Sequence, residues 1–308
     1  MTESGDVTGQ ANDATRESVI DPSEDGSASA SEPAAIGGAV APLEPLPAAP
    51  PAFVYALGQI EPRFPSLSVE KELAQAIGDS DYTGLTDRQT IKRAISERAN
   101  RYLARSLCWV FVIEGLETYI LVPRDPGDVE LLIDAYREEA SGGDLDLVIG
   151  TRGPLAPPTM CNGLILPIVT FDQVYSFDRY TLLEAIPTPD DVQGEDAERF
   201  RSAAGELFDH LLQVADNAGA TDEHRALNYL AVRYQRIYTV TKERIDENYS
   251  LGAIEVVPSS LTGVRSIVDV VFSYRNRETD VVEKQFVRVD VTEEFPFLVS
   301  KMGPYYDR

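Results

Sequence analysis

No aromatic residue occurs in the first 52 positions of this 308-residue chain; every Phe, Tyr and Trp lies beyond them. Those 52 positions hold nine acidic residues, one basic residue (Arg16) and seven of the chain's 20 prolines, with Pro45, Pro47, Pro50 and Pro51 crowded together. Such a segment cannot bury enough apolar surface to offset the entropy of ordering. Residues 1–52 therefore read as a disordered acidic tail, extended in polyproline fashion around Ala41–Pro47. A partner-binding or autoinhibitory segment is the alternative. The fold has to come from residues 53–308.

Charge narrows the function. The chain has 51 acidic and 27 basic residues, a formal charge of −24. Gripping nucleic acid through the general surface requires the opposite excess, and the same balance argues against docking on anionic lipid. Two cysteines, Cys108 and Cys161, are too few for a disulfide scaffold. With no signal-like start and no apolar run of about 18 residues, the expectation is a soluble cytoplasmic protein with reduced thiols.

Patterning beyond residue 52 mixes both periods. Phe53–Leu57 reads as a strand, Val69–Ile77 as a short helix, and Thr86 as the N-cap of a helix reaching about Leu107. Cys108–Ile113 and Thr118–Val122 flank Glu114-Gly115 as a hairpin, followed by a helix over Val129–Ala140 and a strand over Leu145–Gly150. Residues 151–163 read as irregular, before a strand around Leu164–Phe171. Pro187–Gly194 reads as a surface linker, and two long helices are expected, about Asp196–Asn217 and Asp222–Glu247. Ile267–Tyr274 and Val281–Val291 form a terminal hairpin. The sum is an α+β fold of antiparallel hairpins packed with several helices.

Candidates for chemistry are few. His210 and His224 are the only histidines, and no Gly-x-Ser-x-Gly elbow, Walker loop, dinucleotide fingerprint or kinase signature occurs. Cys108 sits in an apolar strand pattern and reads as a buried structural thiol, whereas Cys161 closes a Pro-rich loop, where a reactive thiol is the alternative to a structural one. Two Cys and two His could in principle bind zinc, but 53 residues separate the cysteines and no Cys-x-x-Cys exists; no cofactor is expected. Asp222-Glu223-His224-Arg225 opens a helix whose His224 and Asn228 lie one turn apart. A capping and packing cluster and a polar site for a backbone or carboxylate are the two readings of it.

Several segments carry a resemblance: Tyr55–Ser66, Leu85–Gln89, Leu107–Phe111, Gly115–Leu121, Cys161–Leu164, His224–Tyr234 and Val289–Leu298. In this order they resemble the C-terminal domain of the cyanobactin maturation protease PatG, over nearly all of residues 53–308, with Cys108, Cys161 and His224 at matching positions. The resemblance implies a setting in the biosynthesis of ribosomally made, modified peptides. Stand-alone homologues of the crocagin pathway bind a precursor peptide for partner enzymes. No subtilisin domain is present, so protease activity is not implied. The expected function is thus a non-catalytic scaffold for a precursor peptide, with modifying enzymes as partners and a homodimer possible. An extended peptide would add to an edge of the terminal hairpin, with Arg225 and Arg233 flanking a groove and Tyr229 offering a ring, unless Tyr229 is simply core. The alternative is a peptide-tailoring enzyme, a cyclase or a metal-dependent catalyst, using Cys161 or His224.

Overall fold

The computed structural model describes residues 52–78, 84–186, 195–213, 216–261 and 263–306. The expected tail (Ala52 apart) and the expected linker at 187–194 lie outside the described residues.

Apolar side chains on both faces of the Cys108–Ile113 pattern call for a strand covered on both sides, and a barrel supplies that. Strands β1 (Ala52–Arg63), β2 (Cys108–Ile113), β3 (Leu116–Pro123), β4 (Asp144–Leu155) and β5 (Pro167–Asp178) close in the order β1-β2-β3-β5-β4. Every neighbouring pair is antiparallel except β3–β5. This is the strand order of an OB-type barrel. Helices α1 (Leu67–Gly78), α2 (Asp87–Ser96) and α3 (Arg101–Ser106) fill the β1–β2 connection, and α4 (Val129–Ala135) the β3–β4 connection. On one face Trp109, Phe111, Tyr119 and Leu121 pack with Leu73, Ile95, Leu103 and Leu132 of these helices. The alternate residues Cys108, Val110 and Ile120 point the other way, under a strap that brings down Ala156, Met160, Leu164 and Leu166.

The second sheet is antiparallel in the order β6-β7-β8-β9: Tyr249–Pro258, Ile267–Asn276, Val282–Asp290 and Phe297–Pro304. Its inner face (Val268, Val270, Phe272, Tyr274, Val287, Val289) meets α6 (Glu195–Leu212), α7 (Asp222–Arg233), α8 (Arg236–Asp246) and the outer barrel residues Tyr55, Leu57, Leu147 and Ile149 in one core. A short α5 (Arg179–Glu184) follows β5. The fold is α+β, as expected.

Local chemistry explains the boundaries. Thr86 caps α2 in a reciprocal capping box with Gln89. The expected single helix to Leu107 nevertheless breaks at Glu97, where Asn100 Nδ2 donates to Ala94 O at 3.0 Å and Arg101 Nη1 to Ile95 O at 2.9 Å. Side chains thus satisfy the carbonyls that the helix releases. The expected long helix over 222–247 likewise splits at Tyr234, and Tyr238 Oη donates to the buried Ala231 carbonyl at 2.7 Å. Glu114 and Gly115, at φ 50° and 81°, make the expected two-residue turn, with Ile113 opposite Leu116. β1 continues to Arg63 through Pro62, because its pairing with β4 ends at Gly58 and leaves one edge open there.

Other differences run deeper. The stretch read as irregular from 151 holds the end of β4, and the strand expected at Leu164–Phe171 starts at Pro167 and extends to Asp178. β6, β9 and α5 carry no sequence expectation. Since β6 and β9 flank β7 and β8, the expected terminal hairpin has no free edge; the edge strands are its neighbours.

Candidate functional site

Helix α7 joins the two sheets. Thr221 caps it by accepting from His224 N at 3.1 Å, with Asp222 and Glu223 in the first turn. Its buried face carries Arg225, Ala226, Leu227, Asn228, Leu230 and Ala231.

Asn228 docks the helix on β1. Residues 52–58 of β1 pair with β4 on one edge, and β2 joins the other edge only from Gln59. The N–H and C=O of Tyr55 face the edge that β2 leaves uncovered, and in an antiparallel ladder such groups must find partners elsewhere. Tyr55 N donates to Gly219 O at 2.9 Å, and Asn228 Nδ2 donates to Tyr55 O at 2.9 Å. Asn217 and Asn228 exchange amide bonds at 2.7 and 3.1 Å. A Cβ on Gly219 (φ 66°) would lie 2.5 Å from Tyr55 O, so the approach requires glycine. The His224–Asn228 pattern thus does include a backbone-binding residue, and the backbone bound is the chain's own.

Arg225, expected at a groove edge, is only 3% exposed. Its Nη1 donates to Val291 O at 2.7 Å, its Nη2 donates to Glu293 O, and its guanidinium stands 5.3 Å from the Phe53 ring. It clamps the loop between β8 and β9.

Tyr229 and Arg233, one turn apart on α7, do reach a common groove. With Leu182, Val232 and the 295–296 loop they face the outer side of β4 and β5, and the groove holds about 390 Å³. Its aromatic walls are Tyr229, Tyr175, Phe177 and Phe295, of which Tyr175 and Phe295 are about half exposed. Tyr229 is partly buried and meets Tyr55 edge to face at 6.3 Å. Burial pushes the Tyr55 phenol well above its usual range, while the nearby Arg233 charge pulls it back. Arg233 pairs with no carboxylate among the described residues. The arrangement can hold an apolar or aromatic side chain beside an anionic group.

Cys161 and His224, the two alternatives for a catalytic role, lie apart among the described residues. Cys161 is disulfide-bonded to Cys108, with Cα atoms 5.8 Å apart, and both residues are buried. The expectation of reduced thiols is corrected accordingly: alternation turns Cys108 outward on β2, and the left-handed pair Asn162-Gly163 (φ 49° and 89°) folds the strap so that Cys161 meets it. In this state Cys161 has no thiolate to offer as a nucleophile or zinc ligand. His224 is half-buried, and desolvation lowers its pKa against the pull of Glu223 and Asp216. No hydrogen bond or cavity among the described residues joins it to Cys161. Among the described residues no three His, Cys, Asp or Glu side chains are grouped to hold a metal ion.

Sequence reasoning missed two acidic features. Glu294, on the loop held by Arg225, shares a hydrogen bond with Asp172 of β5, and Arg124 binds Asp172 through two bonds of 2.5 and 2.7 Å. Burial, then the Asp172 hydrogen bond and charge, push Glu294 to about 7. Asp146 is buried between β1 and β5, accepting from Ile60 N at 3.0 Å and Ser176 Oγ at 2.6 Å. Desolvation raises it to about 6 against those bonds. Asp146 carries no sequence signal beyond a polar residue in an apolar strand pattern, and Glu294, in a loop, carries none.

The structure is thus an OB-type barrel joined through a helical layer to an antiparallel sheet, with an aromatic groove beside the joining helix. The family described as PatG C-terminal matches residues 194–305, which span the last helices and the second sheet. A solved structure, "PatG Domain of Unknown Function", superposes with a TM-score of 0.66 at 21% identity, covering 82% of this chain and 98% of its own. The resemblance seen in the sequence thus extends to the fold. No curated protein matches the sequence.

Proposed function

We propose that this chain is a non-catalytic scaffold that binds a ribosomally made precursor peptide in the Tyr229–Arg233 groove and presents it to modifying enzymes of natural-product biosynthesis. The observation that carries the reading is an aromatic groove of about 390 Å³ beside an arginine with no carboxylate partner among the described residues. The rings give area at low entropic cost and the guanidinium gives direction. Similarity to the PatG C-terminal family supports the biosynthetic setting. β9 starts at Phe297, just after the groove wall Phe295-Pro296, and is an edge strand, so the peptide backbone can extend along it as an added strand. Tyr234 Oη already occupies Met302 N at 3.0 Å, which confines such pairing to the start of β9. Residues 53–308 act as one domain in this reading, the other edge strand, β6, is available to a second copy, and the setting is cytoplasmic.

The test mixes the purified protein with the precursor peptide encoded beside its gene, following heat by calorimetry and peptide mass on the same sample. Binding in the micromolar range with unchanged mass is expected, weakened about tenfold or more by Tyr229→Ala and by Arg233→Ala. A mass change that scales with protein concentration, or affinity indifferent to both substitutions, would overturn the reading.

A further inference from the structure

A second cavity lies away from the groove, where α3, α4 and the strap meet the barrel. It holds about 420 Å³, within the ~300–1,000 Å³ range of small-ligand sites. Trp109, Val122, Val129, Leu132, Met160 and the Cys108–Cys161 disulfide contribute apolar wall. The Trp109 indole is fixed by its N–H, which donates to Ala104 O at 2.9 Å.

The polar side of this cavity has one sign. Arg105, at the end of α3, lines it, and also lines an adjoining depression with Arg98, Arg101 and Glu130. Glu130 is taken by Arg101 at 2.6 Å, and Arg101 Nη1 also donates to Ile95 O at 2.9 Å. Arg105 and Arg98 are exposed and pair with no carboxylate among the described residues. In a chain of formal charge −24, Arg105 at the cavity, with Arg98 in the adjoining depression, makes a local field of reversed sign.

We infer that this pocket binds an apolar group bearing a carboxylate, the apolar part against Trp109 and Met160 and the carboxylate on Arg105. The guanidinium's planar fork suits a carboxylate, and the wall offers the apolar body little but dispersion and desolvation. A free fatty acid and the C-terminal residue of a peptide both have this chemistry.

Trp109 is the chain's only tryptophan, so its fluorescence reports occupancy directly. The full chain is titrated with decanoate, decan-1-ol and decylamine, and with N-acetyl-leucyl-phenylalanine as free acid and as amide. The expected result is that decanoate, the acetylated peptide acid, or both shift Trp109 emission, at least tenfold more tightly than the matching alcohol, amine or amide. Arg105→Ala should weaken the acids about tenfold and leave decan-1-ol unchanged. Val122→Phe, which fills the cavity, should abolish every response while the far-ultraviolet dichroism stays native. Response to decanoate alone identifies a fatty acid as the natural source, and response to the peptide acid alone a peptide terminus. The inference is overturned if neither acid shifts Trp109 at millimolar concentration, if alcohol or amine binds as well as acid, or if Arg105→Ala leaves the acids' affinity intact.

Discussion

Asn228→Ala tests the account of how α7 is held on the barrel. Asn228 is fully buried and makes three amide bonds: one to Tyr55 O and two exchanged with Asn217. Alanine leaves two buried groups without partners, the Tyr55 carbonyl and the Asn217 Nδ2–H, while Asn217 Oδ1 keeps the Gly219 N–H at 3.3 Å. Each orphaned group costs about 1–3 kcal/mol, so the expected loss is about 4 kcal/mol. For a folded body of this size that corresponds to a fall in Tm of about 10 °C. Urea unfolding with linear extrapolation reads the free energy, and an unchanged m-value shows that the native state kept its extent. Asn228→Asp should do no better at neutral pH, because it presents an oxygen to the Tyr55 carbonyl. Since Asn217→Ala and Asn228→Ala remove the same pair of bonds, the double mutant should lose about 1–2 kcal/mol less than the sum. A loss below about 1 kcal/mol in Asn228→Ala, or strict additivity in the cycle, would refute the reasoning.

Two further predictions rest on groups at the margins of the barrel. Glu294 goes from 4.5 in the unfolded chain to about 7 in the fold, so the native state holds its proton longer, and this group's contribution to stability falls as pH rises between those values. Asp172 is depressed by Arg124 and acts in a separate window, losing its contribution only as pH falls below 3.8. Glu294→Gln keeps a donor toward Asp172 without the charge; it should match the parent near pH 5 and exceed it by about 1 kcal/mol at pH 8, after discounting for the solvent that reaches a half-buried group. A constant gap across pH in thermal melts would contradict this. The Cys108–Cys161 bond closes a loop of sequence separation 53, for which chain entropy gives about 4 kcal/mol; a reductant should lower the urea midpoint accordingly, and an unchanged midpoint after complete reduction, verified by thiol titration, would show that the loop is held by other means.

How much was legible in the sequence follows from the range of the interactions. Thr86–Gln89, Glu114-Gly115 and Thr221 act within a few residues, so their caps and turn are readable locally. Tyr229 and Arg233 share α7, and a helix fixes their separation, so their common face is legible locally. Their partners Tyr175, Phe177 and Phe295 come from a strand and a loop that only the fold brings close. The burial of Arg225 is illegible for the same reason: nothing near it in sequence says that the carbonyls of Val291 and Glu293 will be within reach. The long helices were over-extended because apolar periodicity runs through Glu97 and Tyr234, and the interactions that stop them, Asn100 on Ala94 and Tyr238 on Ala231, run from side chain to backbone. β6 and β9 were missed because an edge strand with one exposed face has a diluted apolar pattern. The disulfide could not be read from two cysteines 53 apart, since pairing depends on which way each Cβ points.

The arginines show how the fold divides its positive charge. With 51 acidic residues against 27 basic ones, a cation here is never short of carboxylates. Among the described residues several ion pairs join separate elements: Arg124 on Asp172 beside the Glu294 loop, Arg288 on Asp269 across β7 and β8, Arg101 on Glu130 between α3 and α4. Arg225 is buried, pairs with Asp222 of its own helix and donates to the carbonyls of Val291 and Glu293, and the loop it holds presents Phe295 and Pro296 to the groove. Arg225 therefore shapes the groove as a positioning residue. Arg233 on the same helix, and Arg98 and Arg105 on the barrel's helices, pair with no carboxylate among the described residues, and Arg233 and Arg105 each line an apolar cavity. In an acidic chain, leaving such a charge unneutralised forgoes stabilisation that neighbouring carboxylates could supply; under the two proposals an anionic group from outside the chain would supply it at Arg233 and at Arg105.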